Sequence, residues 1–195
     1  MKRFFIIFVV ALLSATALQA QSPHKEINPI GFKLIYDGCS TWASKEGKSS
    51  TIKVMQIPGE VIQRAAKSEQ DKALATRIQE TYQITVSPRG SFGSDFTHHL
   101  RRKLRHEYRG DSKQFQFNFK ELYKQRMEQT IAHRKCYIYH RPANDFYPQE
   151  WLVVIDDGDD SKEPFAKSKE PFVMTCLVGD ELTIDDVLTM MSGKK

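Results

Sequence analysis

Apolar residues recur along this chain in two rhythms, and each rhythm marks an element. Alternation at every second position, the mark of a strand with one buried face, runs through "STIKVMQI", where Ile52 and Val54 flank Lys53. It returns in "YQITVS", which puts Tyr82, Ile84 and Val86 on one side, and in "QFQFNF", which does so for Phe115, Phe117 and Phe119. Spacing of three and four predicts helices. One covers residues 30–45, although Asp37-Gly38 within it is a turn signal. Another starts at Pro58, a residue suited to the first helical position, and carries a buried stripe of Val61, Ile62, Ala65 and Ala66. A further helical piece holds Leu74 and Ile78.

Ser94 is placed to cap a helix whose stripe is Phe96, Leu100, Leu104 and Tyr108, with Asp95 at its start, Arg105 and Arg109 at its end and Gly110 closing it. Asn118 with Glu121 resembles a capping box, and Phe119, Leu122, Tyr123 and Met127 follow at helical spacing. The last third reads as three strands, "KCYIYH", "EWLVVI" and "FVMTCLVG". Thr183 then begins a helix that buries Ile184, Val187 and Leu188. The expected fold is α+β: a two-layer sandwich with a mostly antiparallel sheet, a C-terminal three-strand meander and final helix, and helices packed on one face.

Between the last two strands lies a polar stretch over about 156–170, in which "SKEP" is written twice. Two copies are too few for a stacked repeat, and the period of seven lacks apolar a and d positions. Its Asp, Gly, Ser and Pro residues make it a long hairpin loop.

The run "ELYKQRM", "CYIYHR", "EWLVVI", "FVMTCLVGDELTIDDVLTMM" resembles the end of the exported bacterial proteins of domain of unknown function 4252, or of a closely related uncharacterised family. The N-terminal order of helix, "STIKVMQI" and helix is similar as well. The resemblance implies export and an α+β fold, and it brings no catalytic residue with it.

The first twenty residues agree with export. Lys2 and Arg3 precede an apolar run from Phe4 to Leu13, and small residues follow. That is the layout of a signal peptide, expected over residues 1–20, with cleavage after Ala17 or Ala20. A single domain is expected over 21–195, its first residues to about 29 flexible. No later run approaches membrane-spanning length, and Cys39 lies too far on for a lipid-anchored N-terminus. The expected location is periplasmic or secreted, not that of a lipoprotein.

Charge is unevenly distributed. Residues 97–135 carry eleven Lys or Arg against four Asp or Glu, a net of +7, whereas residues 149–195 carry five against eleven, a net of −6. On the helix expected near residues 95–109, Arg101, Arg102, Arg105 and Arg109 occupy the flanks and outer face and form the candidate site for an anionic partner. The bland alternative is a solvated helix face, or internal pairing with the acidic C-terminal third.

Other chemistries find less support. Three cysteines, Cys39, Cys136 and Cys176, suit small core residues; if two pair, the candidates are Cys136 and Cys176. His133, Cys136 and His140 have a ligand-like spacing, yet in a strand only Cys136 and His140 share a face. "GSFGS" lacks the spacing of a nucleophile elbow, "DDGDD" lacks the ligand pattern of a calcium loop, and Asp185 and Asp186 diverge on a helix. No catalytic residue, metal, cofactor or nucleic acid is expected. The functional expectation is an exported, non-catalytic cell-envelope protein that binds a macromolecular or anionic partner, such as an envelope protein, acidic glycan or lipopolysaccharide. The alternatives are an exported hydrolase with a site scattered in sequence and a structural or stress-related envelope module.

Overall fold

The structure, a computed structural model, describes residues 31–45, 51–87, 97, 100, 108–109, 116–117, 122–131, 134–145, 147–156 and 171–192. In chain order the elements are α1 (Phe32–Lys45), β1 (Ile52–Pro58), α2 (Gly59–Ala65), α3 (Glu69–Ala75), β2 (Ile78–Val86), β3 (Tyr108–Arg109), β4 (Gln116–Phe117), β5 (Lys124–Ile131), β6 (Arg134–Arg141), β7 (Gln149–Asp156), β8 (Phe172–Gly179) and α4 (Ile184–Ser192). Six strands form one sheet in the order β1-β2-β8-β7-β6-β5, every neighbouring pair antiparallel, and β3 pairs with β4 apart from it.

The fold is α+β, with β6, β7 and β8 as the consecutive antiparallel strands and α4 closing the chain. The helices, however, cover both faces of the sheet. Residues of β7 and β8 are buried alternately on each side: Leu152, Val154, Met174 and Cys176 join Phe32, Ile35 and Tyr36 of α1, while Trp151, Val153 and Leu177 join Val187 of α4. Ile62 of α2 and Leu74 of α3 pack on that second core. Near-continuous apolar strands need cover on both sides, which makes three layers rather than two.

The turn signal in the first helix is overridden. Lys33 and Asp37 pair at 2.7 Å one turn apart, and Gly38 has no heavy atom near its missing side chain, so α1 runs unbroken past Asp37-Gly38. Pro58 is the last residue of β1 and the cap of α2 rather than its first residue. The α2 stripe is shallow: Val61, Ile62 and Ala66 are half-buried and Ala65 is exposed. Ile78 opens β2 instead of ending a helix, because Ser68 and Asp71 box the start of α3 and the helix stops at Ala75.

Two further expectations are corrected. The helix expected through Met127 is the strand β5, whose residues pair with β6 from Lys124↔His140 to Ile131↔Arg134 around a bulge at Gln125/Met127. An edge strand keeps one long side in water, so its polar residues blur the period of two. Of the helix expected over 95–109, Thr97 and Leu100 are helical and buried, but Tyr108 and Arg109 form β3, paired with Phe117 and Gln116. The rest of that helix and the polar stretch over 157–170 lie outside the described residues; the latter links adjacent antiparallel strands, β7 and β8.

The start of α4 is fastened by several groups. Thr183 and Asp186 form a reciprocal cap, Asp186 Nα bonding to Thr183 Oγ1 at 3.2 Å and Thr183 N–H donating to Asp186 Oδ2 at 2.8 Å. Arg77 at the head of β2 forks onto both Asp186 oxygens at 2.8 and 2.9 Å. Those bonds hold the Asp186 carboxyl below its usual pKa against the opposing effect of burial. Where β8 ends, a side chain at Gly179 would sit 2.1 Å from the Arg77 carbonyl oxygen, so only glycine permits this approach.

Candidate functional site

Among the described residues, the most enclosed polar cluster lies where β6, β7 and the N-terminus of α1 meet. Glu150, second residue of β7, is 4% exposed, and Arg141, its cross-strand partner on β6, is 6% exposed. Register alone brings them together, since directly opposed residues on one face of an antiparallel pair are side-chain neighbours. Arg141 Nη2 donates to Glu150 Oε1 at 2.8 Å and to the Pro148 carbonyl at 3.4 Å, and its guanidinium lies 5.3 Å from the centre of the Tyr147 ring. The second carboxylate oxygen, Oε2, accepts from the buried Tyr123 hydroxyl and from the Phe32 backbone N–H at 3.2 Å.

That last bond explains the cluster. The first amides of any helix lack partners within it and carry a partial positive charge. The first turn of α1 has no acidic residue of its own, and Glu150 supplies the missing carboxylate from a position 118 residues away. The backbone turns into the helix at Gly31, with φ 123°, and a side chain there would lie 2.8 Å from Glu150 Oε1 and 3.0 Å from Arg141 Nη1. Both the left-handed backbone and the space demand glycine. Gly31→Ala is therefore expected to cost about 3 kcal/mol and to loosen α1 first. Urea unfolding with amide exchange measures both, and an unchanged midpoint would contradict the contact.

Burial raises the pKa of Glu150, while Arg141, the Tyr123 hydroxyl and the Phe32 amide pull it back down. Tyr123 is held protonated by its own burial and by the Glu150 charge, so it donates and does not act as a base. Cys176 lies on the same side of the sheet, its thiol pushed up by burial and then by Glu150. An enclosed carboxylate already bonded on both oxygens, beside a neutral thiol, is an anchor for a helix rather than a nucleophile with its base.

The candidates read from sequence fall elsewhere. Arg101, Arg102 and Arg105 lie outside the described residues, and Arg109 belongs to β3 rather than to a helix end. Cys136 and Cys176 do not pair: both are free, β7 separates their strands, and they enter the cores on opposite faces of the sheet. Cys136 and His140 do share a face, but burial raises the Cys136 thiol pKa, and His140 stacks on Trp151 with ring centres 4.2 Å apart. His133 lies outside the described residues, among which no three metal-ligating side chains are grouped. Asp186 turns to Arg77 and away from any acid-base couple with Asp185.

Sequence reasoning missed Gly31, Tyr123, Arg141 and Glu150. One signal was present: in "HRPANDFYPQEW" opposite charges flank a hairpin connection, at the positions that become cross-strand neighbours. Among the described residues no helix is long and apolar enough to cross a membrane. Comparison with protein-family models, with curated proteins and with solved structures finds no match.

Proposed function

We propose that this chain is an exported, non-catalytic protein of the cell envelope that binds an anionic partner through the basic residues between 97 and 135. The observation behind this reading is how the acids of the C-terminal third are used. Glu150 is taken by Arg141, Asp186 by Arg77, and Asp180 by Gln79 at 2.6 Å. None of these three partners belongs to the basic segment; among the described acids of this third, Asp156 is the one set opposite a basic-segment residue, Lys135, in the β6–β7 pair, which leaves most of the net charge of +7 for an outside partner. The resemblance to small exported proteins and the leader-like first twenty residues support a partner in the envelope, where lipopolysaccharide and acidic glycans offer phosphates and carboxylates for guanidinium forks.

The test is co-sedimentation with vesicles containing lipopolysaccharide, across a salt series, for the parent protein and for Arg101, Arg102 and Arg105 all changed to Gln. Arg109 is left alone because it is part of β3. Removing three charges should weaken association by about tenfold or more at low salt and flatten its salt dependence, with the melting temperature kept. Equal binding by both proteins at every salt concentration would reduce the basic segment to a solvated surface.

A further inference from the structure

A second polar network joins the same end of β6 to the approach of α4, on the opposite face from Glu150. Gln149 is fixed by one backbone residue: its Oε1 accepts from Leu182 N–H at 2.8 Å, and its Nε2 donates to the Leu182 carbonyl at 3.0 Å. Because a backbone N–H must meet an oxygen, this double bond settles which end of the amide is which. The remaining hydrogen on Gln149 Nε2 points at His140 Nε2, 3.0 Å away. Arg126 Nη2, also purely a donor, stands farther off, 3.4 Å from the other ring nitrogen, so the shorter contact assigns Nε2 as the acceptor and the single proton of the neutral imidazole to Nδ1. The ring is held flat by Trp151, whose own Nε1 donates to the Leu182 carbonyl at 3.0 Å.

We propose that His140 is an acid-sensitive catch: its protonation forces Gln149 away from Leu182 and loosens the 180–183 connection that leads into α4. A proton on Nε2 would face the amide N–H that it now accepts from, two donors at hydrogen-bond distance. The amide escapes only by turning, and turning breaks both bonds to Leu182. From β5, Arg126 Nη2 stands 3.4 Å from His140 Nδ1, and Lys124 is the cross-strand partner of His140, so two cations meet any new positive charge. From β7 come Gln149 and the Trp151 ring, whose face favours a cation and opposes the effect. Of the acids at the α4 end, Asp180 is engaged by Gln79 and Asp186 by Arg77, while Glu181 and Asp185 stand next to them in the chain and, if near the ring, would favour its charged form.

The titration has the sign this requires. Burial and then Arg126 lower the His140 pKa below 6.5. A histidine with a depressed folded pKa binds fewer protons than the open state does, so stability held above pH 6.5 is lost as pH falls from there toward the folded value. An exported protein meets the pH of its surroundings, and the catch would respond across that window.

The experiment is amide exchange of residues 180–192 at about pH 7.5 and about pH 5, corrected for intrinsic rates, in the parent and in His140→Gln. A glutamine oxygen can still accept from Gln149 and does not titrate. The parent should lose about tenfold protection there on acidification relative to β2 and β8, while His140→Gln stays level. Equal losses in both proteins, or none in the parent, would overturn the proposal. Should His140→Gln not fold, nitrogen chemical shifts of His140 in the parent decide: an Nε2–H tautomer, or titration above pH 6.5, would overturn it as well.

Discussion

Replacing Glu150 by alanine is expected to lower the unfolding free energy by about 3–5 kcal/mol, because it strands a buried charge. Arg141, a residue only 6% exposed, would be left with no carboxylate opposite its guanidinium. Tyr123 would lose the acceptor of its buried hydroxyl, and Phe32 the partner of its backbone amide. A buried ion pair is weak evidence for net stability in itself, since two well-packed apolar residues often serve as well. Breaking one side is a different matter, and that is the perturbation here. Urea denaturation measures it; a loss below about 1 kcal/mol would mean that water reaches Arg141 and that the enclosure is not real.

Val187→Asp is expected to cost about 3–5 kcal/mol as well, by another mechanism. Val187 is 0% exposed in the core beneath α4, among Trp151, Val153, Leu177 and Leu182. A carboxylate there would meet no cation, since the nearby fork of Arg77 is spent on Asp186. Either the side chain takes up a proton or α4 leaves the sheet, and each lowers the melting temperature by many degrees for a domain of this size. An unchanged melting temperature would show that α4 does not pack as described.

The C-terminal half of the fold was legible because its physics is local. β6, β7, β8 and α4 are strongly apolar or carry clear caps, and each emerged within a residue or two of its expected limits. Legibility failed where a neighbour decides. "KQRMEQTI" has helix-forming residues and a mixed period, yet the open side of β6 takes it as a strand. Helices on both faces were foreshadowed by unbroken apolar runs such as "WLVVI", which a one-faced sheet has no use for. The pairing of Cys136 with Cys176 failed on strand parity and strand order, which depend on register, a property that no single strand contains.

The Glu150 cluster was hidden for the same reason. Its members come from four places: the turn into α1, the residue before β5, the end of β6 and the start of β7. An isolated Glu at the head of an apolar strand reads as a boundary residue. Only the hairpin register, with Arg141 opposite, and Gly31 with its left-handed backbone make it an anchor.

That anchor is the centre of this account, because it is what separates a helix-holding carboxylate from a catalytic one. The direct measurement is a double-mutant cycle between Glu150 and Arg141, using Glu150→Leu, Arg141→Met and the pair together, with stability read from urea unfolding. Each single change should cost about 3–5 kcal/mol and the pair much less than their sum, giving a coupling of at least about 2 kcal/mol. Single effects that add to within about 0.5 kcal/mol would contradict the account, since the two side chains would then act independently.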